Sequence, residues 1–199
     1  FIEACRDKLA FGRGLIIALP HQGNWELIAY RVTRAGPATA LYRPPRMQAL
    51  DDLVREGRQR SGIDVVPIDR QGLKRLHGAL RDGEIVGILP DQVPKAAGSA
   101  GVIAPFFGRP ALTMTLVNRL ARRHQTPVIF CAAVAEPGSR RHRFHYFDGE
   151  AAIADSDPAV AAAALNRGIE RCARAHPAHY QWTYRRFLIP DDPASDPYA

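Results

Sequence analysis

The stretch "LIIALPHQGNWELIAY", residues 15–30, decides the fold. Its first five residues are apolar and lie between Gly14 and Pro20, which reads as a short buried strand. A polar passage, His21 to Asn24, follows. Then "WELIAY" opens an apolar run that predicts a helix over 25–35, with Asn24 as its N-cap. Strand, polar loop and helix in that order are the repeating unit of an α/β domain.

The pattern continues outward. Strands are expected at 38–43, stopped by Pro44 and Pro45, at 64–69, at 84–91 and at 127–134. Helical spacing runs through 46–60, through Leu73, Leu76 and Leu80 up to Gly83, through Met114, Val117, Leu120 and Ala121, and over the Ala-rich 158–175. "RFHYF" (143–147) is expected to pair back antiparallel after the turn "EPGSRR". Residues 92–104 lack periodicity and read as a mobile loop, and "YQWTYRRF" (180–187) alternates as a strand would. The prediction is one α/β domain over 1–190, a mostly parallel central sheet flanked by helices, with a frayed Asp/Pro-rich tail at 191–199.

Composition narrows the class. A chain of 199 residues, 46% hydrophobic and 24% charged, has enough apolar material for one domain with a real core. Its net charge of +7 favours anionic partners without choosing among nucleic acid, membrane or an acidic protein. Three scattered cysteines give neither a disulfide framework nor metal-ligand spacing. No apolar run approaches the roughly 18 residues needed to span a bilayer. "HRFHY" has two histidines and no evident third ligand, so no metal is expected, and no cofactor.

Ligands of open α/β sheets bind beyond the carboxyl ends of the strands. His21 follows the first strand and Asp91 stands at the tip of "EIVGILPD". If those strands are parallel neighbours, His21, Glu26 and Asp91 share one rim. A loop histidine and a carboxylate in the first helical turn can meet, and the helix dipole favours an acid there. A carboxylate on one imidazole nitrogen fixes the tautomer and leaves the other free to take a hydroxyl proton. Taken singly, each of these residues has an ordinary structural alternative: a polar loop histidine, a helix-start glutamate, a turn-forming aspartate.

The ordered set is more specific. "HQGNWE" (21–26) is an H-x4-E form of the H-x4-D/E acyltransferase motif. It is followed by "LYRP" (41–44), "REGRQRSG" (55–62), "GALRDGEIVGILPDQ" (78–92), "APFFGRPALTMT" (104–115) and "HPAHYQWTYRRF" (176–187). This series resembles the lauroyl/myristoyl late acyltransferases of lipid A biosynthesis over about residues 9–190, and less closely the broader glycerolipid acyltransferases. The resemblance implies a glycerolipid-acyltransferase-like fold, His21 as general base, Glu26 as its orienting partner, and Arg58 and Asp91 as substrate-binding residues. It implies transfer of a fatty acyl chain from an acyl carrier protein or CoA thioester to a hydroxyl of a lipid A precursor or another glycolipid. It places the reaction at the cytoplasmic face of the inner membrane, with an anchoring helix expected ahead of the residues given.

A developing oxyanion needs donors, and the backbone N–H groups near Gly23 and Asn24 are the candidates. Cys131 lies in an apolar strand and reads as core. The groups "RLARR" (119–123) and "RRHR" (140–143) fit lipid phosphates, an acidic carrier, or a merely solvated face. Phe106 and Phe107 fit either an acyl-groove border or a hydrophobic anchor. Nucleic acid is disfavoured as a partner, because the arginine clusters do not interleave with exposed aromatics and no nucleic-acid motif occurs.

Overall fold

The computed structural model describes residues 1–42, 57, 62–94, 101–190 and 196–198. Its centre is a six-stranded sheet. β1 (Leu15–Ala18), β2 (Ala38–Tyr42), β3 (Asp64–Pro67), β4 (Ile85–Ile88), β7 (Val128–Ala135) and β8 (His142–Asp148) lie in the order β3-β2-β4-β1-β7-β8. The first five are parallel, and β8 runs antiparallel to β7 at the edge. All four residues of β1 are buried, as expected of a central parallel strand covered on both faces.

Helices α1 (Ile2–Leu9) and α2 (Trp25–Val32) cover one face, packing Cys5, Ile28 and Val32 on Leu15, Ile17 and Ile85. Helices α3 (Arg70–Arg81), α4 (Leu116–His124) and α5 (Pro158–Ala175) cover the other. There Leu76, Leu120, Leu165 and Ile169 meet Ile16, Val86 and Phe130. The caps follow the sequence. Asn24 accepts from the Leu27 N–H, Asp69 from Gly72 and Asp157 from Ala159, each meeting a donor that the first helical turn leaves unpaired.

Two expectations are corrected. The supposed mobile loop at 92–104 gives way at Gly101 to β5 (Gly101–Phe106), which forms an antiparallel hairpin with β6 (Arg109–Met114); Met114 thus ends a strand rather than starting a helix. Phe107 and Gly108, with φ of 49° and 75°, make the two-residue turn. Such turns usually announce themselves by Asn-Gly or Asp-Gly. Here a phenylalanine occupies the left-handed position, held because its N–H donates to Glu170 Oε1 (2.7 Å) and its ring lies 5.7 Å from that of Trp182.

The segment 180–187 is not a strand. Beyond the isolated Tyr180 bridge to Gln22 it is a series of turns, with Trp182 N–H donating to Tyr180 O and Arg186 N–H to Tyr184 O. Its sequence alternation does not follow one buried face: Tyr180 and Arg186 are buried while Trp182, at the position between them in the alternation, stays exposed. The helix expected at 46–60 lies outside the described residues, Gly57 apart. In the tail, Asp196 accepts from Arg185 (2.6 Å), and the Tyr198 hydroxyl accepts from the Phe187 N–H (3.2 Å).

Candidate active site

β1 and β4 are neighbours and in register, Ala18 opposite Ile88. His21 and Asp91 are each three residues beyond that pair, so the register brings both side chains to the same point of the rim. The His21 N–H and its ring Nδ1 contact the two oxygens of Asp91, at 2.7 and 2.6 Å. Asp91 is 3% exposed and His21 20%. A carboxylate only accepts, so Nδ1 carries the hydrogen and Nε2 the lone pair. Nε2 lies 3.1 Å from the carboxamide nitrogen of Gln92.

Asp91 thus occupies Nδ1, the place at which the resemblance implied Glu26 as orienting partner. Glu26 sits in the first turn of α2 and lines the same cavity as His21. Glu26 is five residues beyond His21, past the turn at Gly23, whereas Asp91 approaches from the adjacent strand. Arg58 lies outside the described residues.

The loop carrying His21 is held tightly. Gly23 has φ of 61°, and a Cβ there would stand 2.1 Å from the Ala133 carbonyl oxygen, so only glycine fits. The N–H groups of Gly23 and Asn24 donate to His179 O (3.0 Å) and Ala133 O (2.8 Å). Both expected oxyanion donors are thus committed to the fold. Buried Gln22 sends its amide to the carbonyls of Cys172 and His176, both at 2.9 Å.

The C-terminal segment closes over this rim. Gln181 N–H donates to His21 O (3.0 Å), and the Tyr184 hydroxyl accepts from the Val93 N–H (2.9 Å). Burial first, and then the Asp91 charge, push the Tyr180 phenol upward. Arg186, 4% exposed, donates to Leu112 O, Thr113 Oγ1 and Asn166 Oδ1, and its guanidinium lies 5.0 Å from the Phe106 ring centre. Burial lowers its pKa, opposed by Tyr180 and Asp91. Arg186 thereby sets a positive charge behind the buried Asp91. Reading 180–187 as a strand concealed this role. Gln92 stood in the quoted "LPDQ", where adjacency to Asp91 was the available signal.

Beside His21 opens a cavity of about 570 Å³, within the range of roughly 300–1,000 Å³ usual for ligand pockets. Its floor is one row across four strands, Ile17–Gly87–Ala40–Val65, each opposite the next. At about 4.8 Å per strand the row spans roughly 14 Å. Gly87 and Ala40 make it a trough because neither fills its place. Its walls are mostly aliphatic, among them Ile28, Leu73 and Leu116, and His21, Glu26, Gln92 and Arg119 supply polar groups.

Phe106 does not line this cavity; it is 1% exposed in the core beneath the hairpin, the anchor reading. All three cysteines are buried. Desolvation pushes Cys5 to about 11, Cys172 to about 12 and Cys131 well above its ordinary value, so none supplies a thiolate at neutral pH. Among the described residues no group of three or more His, Cys, Asp or Glu could hold a metal, and no helix is long and apolar enough to cross a membrane.

Fold and site together define an α/β domain with a histidine–carboxylate pair at the mouth of an elongated apolar cavity. The chain belongs to the bacterial lipid A biosynthesis acyltransferase family, whose sequence profile matches residues 2–189. It is 29% identical over 187 residues to the lipid A biosynthesis lauroyltransferase of Escherichia coli K12, covering 94% of this chain and 60% of that protein. It is 30% identical over 179 residues to the palmitoleoyltransferase of the same organism (88% and 56%). A shorter match of 106 residues, 29% identical, joins it to the phosphatidylinositol mannoside acyltransferase of Mycobacterium tuberculosis H37Rv (51% and 33%). The chain spans less than two thirds of the length of these relatives.

Proposed function

We propose that this domain transfers a fatty acyl chain from a thioester, on an acyl carrier protein or CoA, to a hydroxyl of a lipid A precursor. The observation that carries the reading is His21: its Nδ1 is tied to a buried carboxylate at 2.6 Å, and its ring stands at the mouth of an apolar cavity of about 570 Å³. The acyl chain lies along the Ile17–Gly87–Ala40–Val65 trough with its thioester at His21. The acceptor hydroxyl takes its place at Nε2. His21 removes the hydroxyl proton as the oxygen attacks the thioester carbon, and returns that proton to the departing thiolate. Asp91 holds the tautomer and stabilises the imidazolium that forms between the two steps. Glu26 faces the acceptor rather than orienting the ring.

Arg58 remains the proposed contact for an anionic group of the acceptor. The exposed Arg119, Arg122 and Arg123 of α4 would hold the protein at the anionic cytoplasmic face of the inner membrane, each worth about 1 kcal/mol near such a surface.

A second acceptor class has one specific support, the match to a mannoside acyltransferase. The experiment offers the full-length protein dodecanoyl-CoA and, in parallel, a lipid A precursor and a phosphatidylinositol mannoside, with products weighed by mass spectrometry. Acylation of the first and its loss by 10²–10⁴-fold in His21→Ala are expected. Acylation of the mannoside alone would transfer the reading to that class. Wild-type turnover by His21→Ala would remove His21 as the base.

A further inference from the structure

A thioester under attack develops negative charge on its carbonyl oxygen, and the site must supply a donor there. The loop beside His21 has none to spare. Pro20 has no N–H. The N–H groups of Leu19, His21, Gln22, Gly23 and Asn24 donate to Ile88 O, Asp91 Oδ2, Pro20 O, His179 O and Ala133 O. On the facing strand tip the Val93 N–H is taken by the Tyr184 hydroxyl. Between Asp91 and Val93 stands Gln92, half-buried, with its carboxamide lining the cavity and 3.1 Å from His21 Nε2.

The network assigns the orientation of that amide. Asp91 makes Nδ1 the protonated nitrogen, so Nε2 is an acceptor, and only the NH₂ end of Gln92 can bond to it. An NH₂ group has two hydrogens.

We infer that Gln92 is a catalytic residue, the donor that meets the thioester oxyanion. This rests on the acyl-transfer reading of the site. The Gln92 NH₂ donates to the lone pair of His21, and yields it when the acceptor hydroxyl takes that place. A hydroxyl oxygen about 2.8 Å from Nε2 and a carbonyl carbon about 3–3.5 Å further on put the thioester oxygen within hydrogen-bonding reach of an amide nitrogen already beside the ring. The step balances: the hydroxyl oxygen bonds to the thioester carbon and its proton passes to Nε2. The C=O electron pair moves onto the oxygen held by Gln92, then returns as the C–S bond breaks. The sulfur leaves with the proton from Nε2 as a thiol.

The test uses the full-length protein with dodecanoyl-CoA and a lipid A precursor, comparing Gln92→Ala, the near-isosteric Gln92→Glu, and wild type across pH. Both variants should lose on the order of 10²–10³-fold in kcat, with the KM for dodecanoyl-CoA little changed and the melting temperature retained. The acid limb of the kcat/KM profile should also move to higher pH. Gln92→Ala removes a donor that favours the neutral ring, and Gln92→Glu adds an acceptor that favours the charged one. Among the described residues, the other titratable and charged groups sharing cavities with His21 are Asp91 beyond β4, Glu26 on α2, Arg119 on α4, Tyr180, Tyr184 and Arg186 of the C-terminal segment, and Tyr198 of the tail. All of them are unchanged in both variants. A kcat at or above wild type in Gln92→Ala overturns the assignment, as does a loss matched by a lower melting temperature with the limb unmoved. No transfer by the wild-type protein overturns the acyl-transfer reading, and Gln92's role with it.

Discussion

Replacing Gly87 with leucine should shorten the acyl chain that this domain prefers. Gly87 lies at the middle of the trough, opposite Ile17 on one side and Ala40 on the other. A Cβ added there would stand 3.7 Å from Ala40 Cβ and 3.8 Å from Leu19 Cδ1, ordinary contact distances, so the first carbon of a side chain fits without shifting the strand. The leucine brings four carbons into space that about four methylenes of the substrate would otherwise fill. At about 0.8 kcal/mol per buried methylene the lost burial is about 3 kcal/mol, roughly 150-fold in kcat/KM. Thioesters too short to reach Gly87 should react as before. The assay is competition between thioesters of graded chain length in one reaction, with the product ratio read by mass spectrometry. A folded Gly87→Leu protein with the wild-type ratio of long to short products would refute the claim that the chain lies on this row.

Asp91→Asn should cost more activity than Glu26→Gln, on the order of 10⁴-fold against a smaller loss. An asparagine can present an N–H to Nδ1 and so stabilise the wrong tautomer; steady-state kinetics of the two variants decide the order. Gly168→Ala should lower stability by about 1–3 kcal/mol, because its Cβ would stand 2.1 Å from the Phe130 ring in the core beneath α5; denaturant melts measure it. The rings of His77 on α3 and His124 on α4 approach to 2.8 Å between Nδ1 and Nε2. Burial first, then neighbouring positive charge, lowers both pKa values below 6.5. A lowered folded-state value means that the unfolded chain binds the proton more readily. Their contribution is therefore full above about pH 6.5 and lost as the pH falls below it. The double variant His77→Gln/His124→Gln should show a flatter fall in melting temperature over that range.

Much of the sheet was legible because its parallel strands announce themselves as short apolar runs between Gly and Pro. The helix 158–175 matches its expected span, since an alanine-rich run with Asp157 before it and Pro158 at its first position has few alternatives. The hairpin β5–β6 was hidden by its turn, where tertiary contacts to Glu170 and Trp182 override the residue preference that would have signalled it. At the site, His21 and Asp91 were placed on one rim by topology alone. Which carboxylate reaches the ring depends on strand register, Ala18 opposite Ile88, and a one-residue slip would have changed the answer. The same holds for the backbone donors. Nothing in "HQGN" reveals that its amides are spent on His179 and Ala133, residues more than a hundred positions away.

The strap formed by residues 180–187 has a consequence for the newborn protein. The strands that carry His21 and Asp91 leave the ribosome early, but Gln181, Tyr184 and Arg186, which brace the two loops and charge their surroundings, come some 90 residues after Asp91. At roughly 5–20 residues per second that is a delay of about 5–20 seconds. During that interval the strands can already be paired while the loops of His21 and Asp91 still lack the contacts that Gln181 and Tyr184 supply. Translation order thus separates the pairing of the sheet from the bracing of its rim.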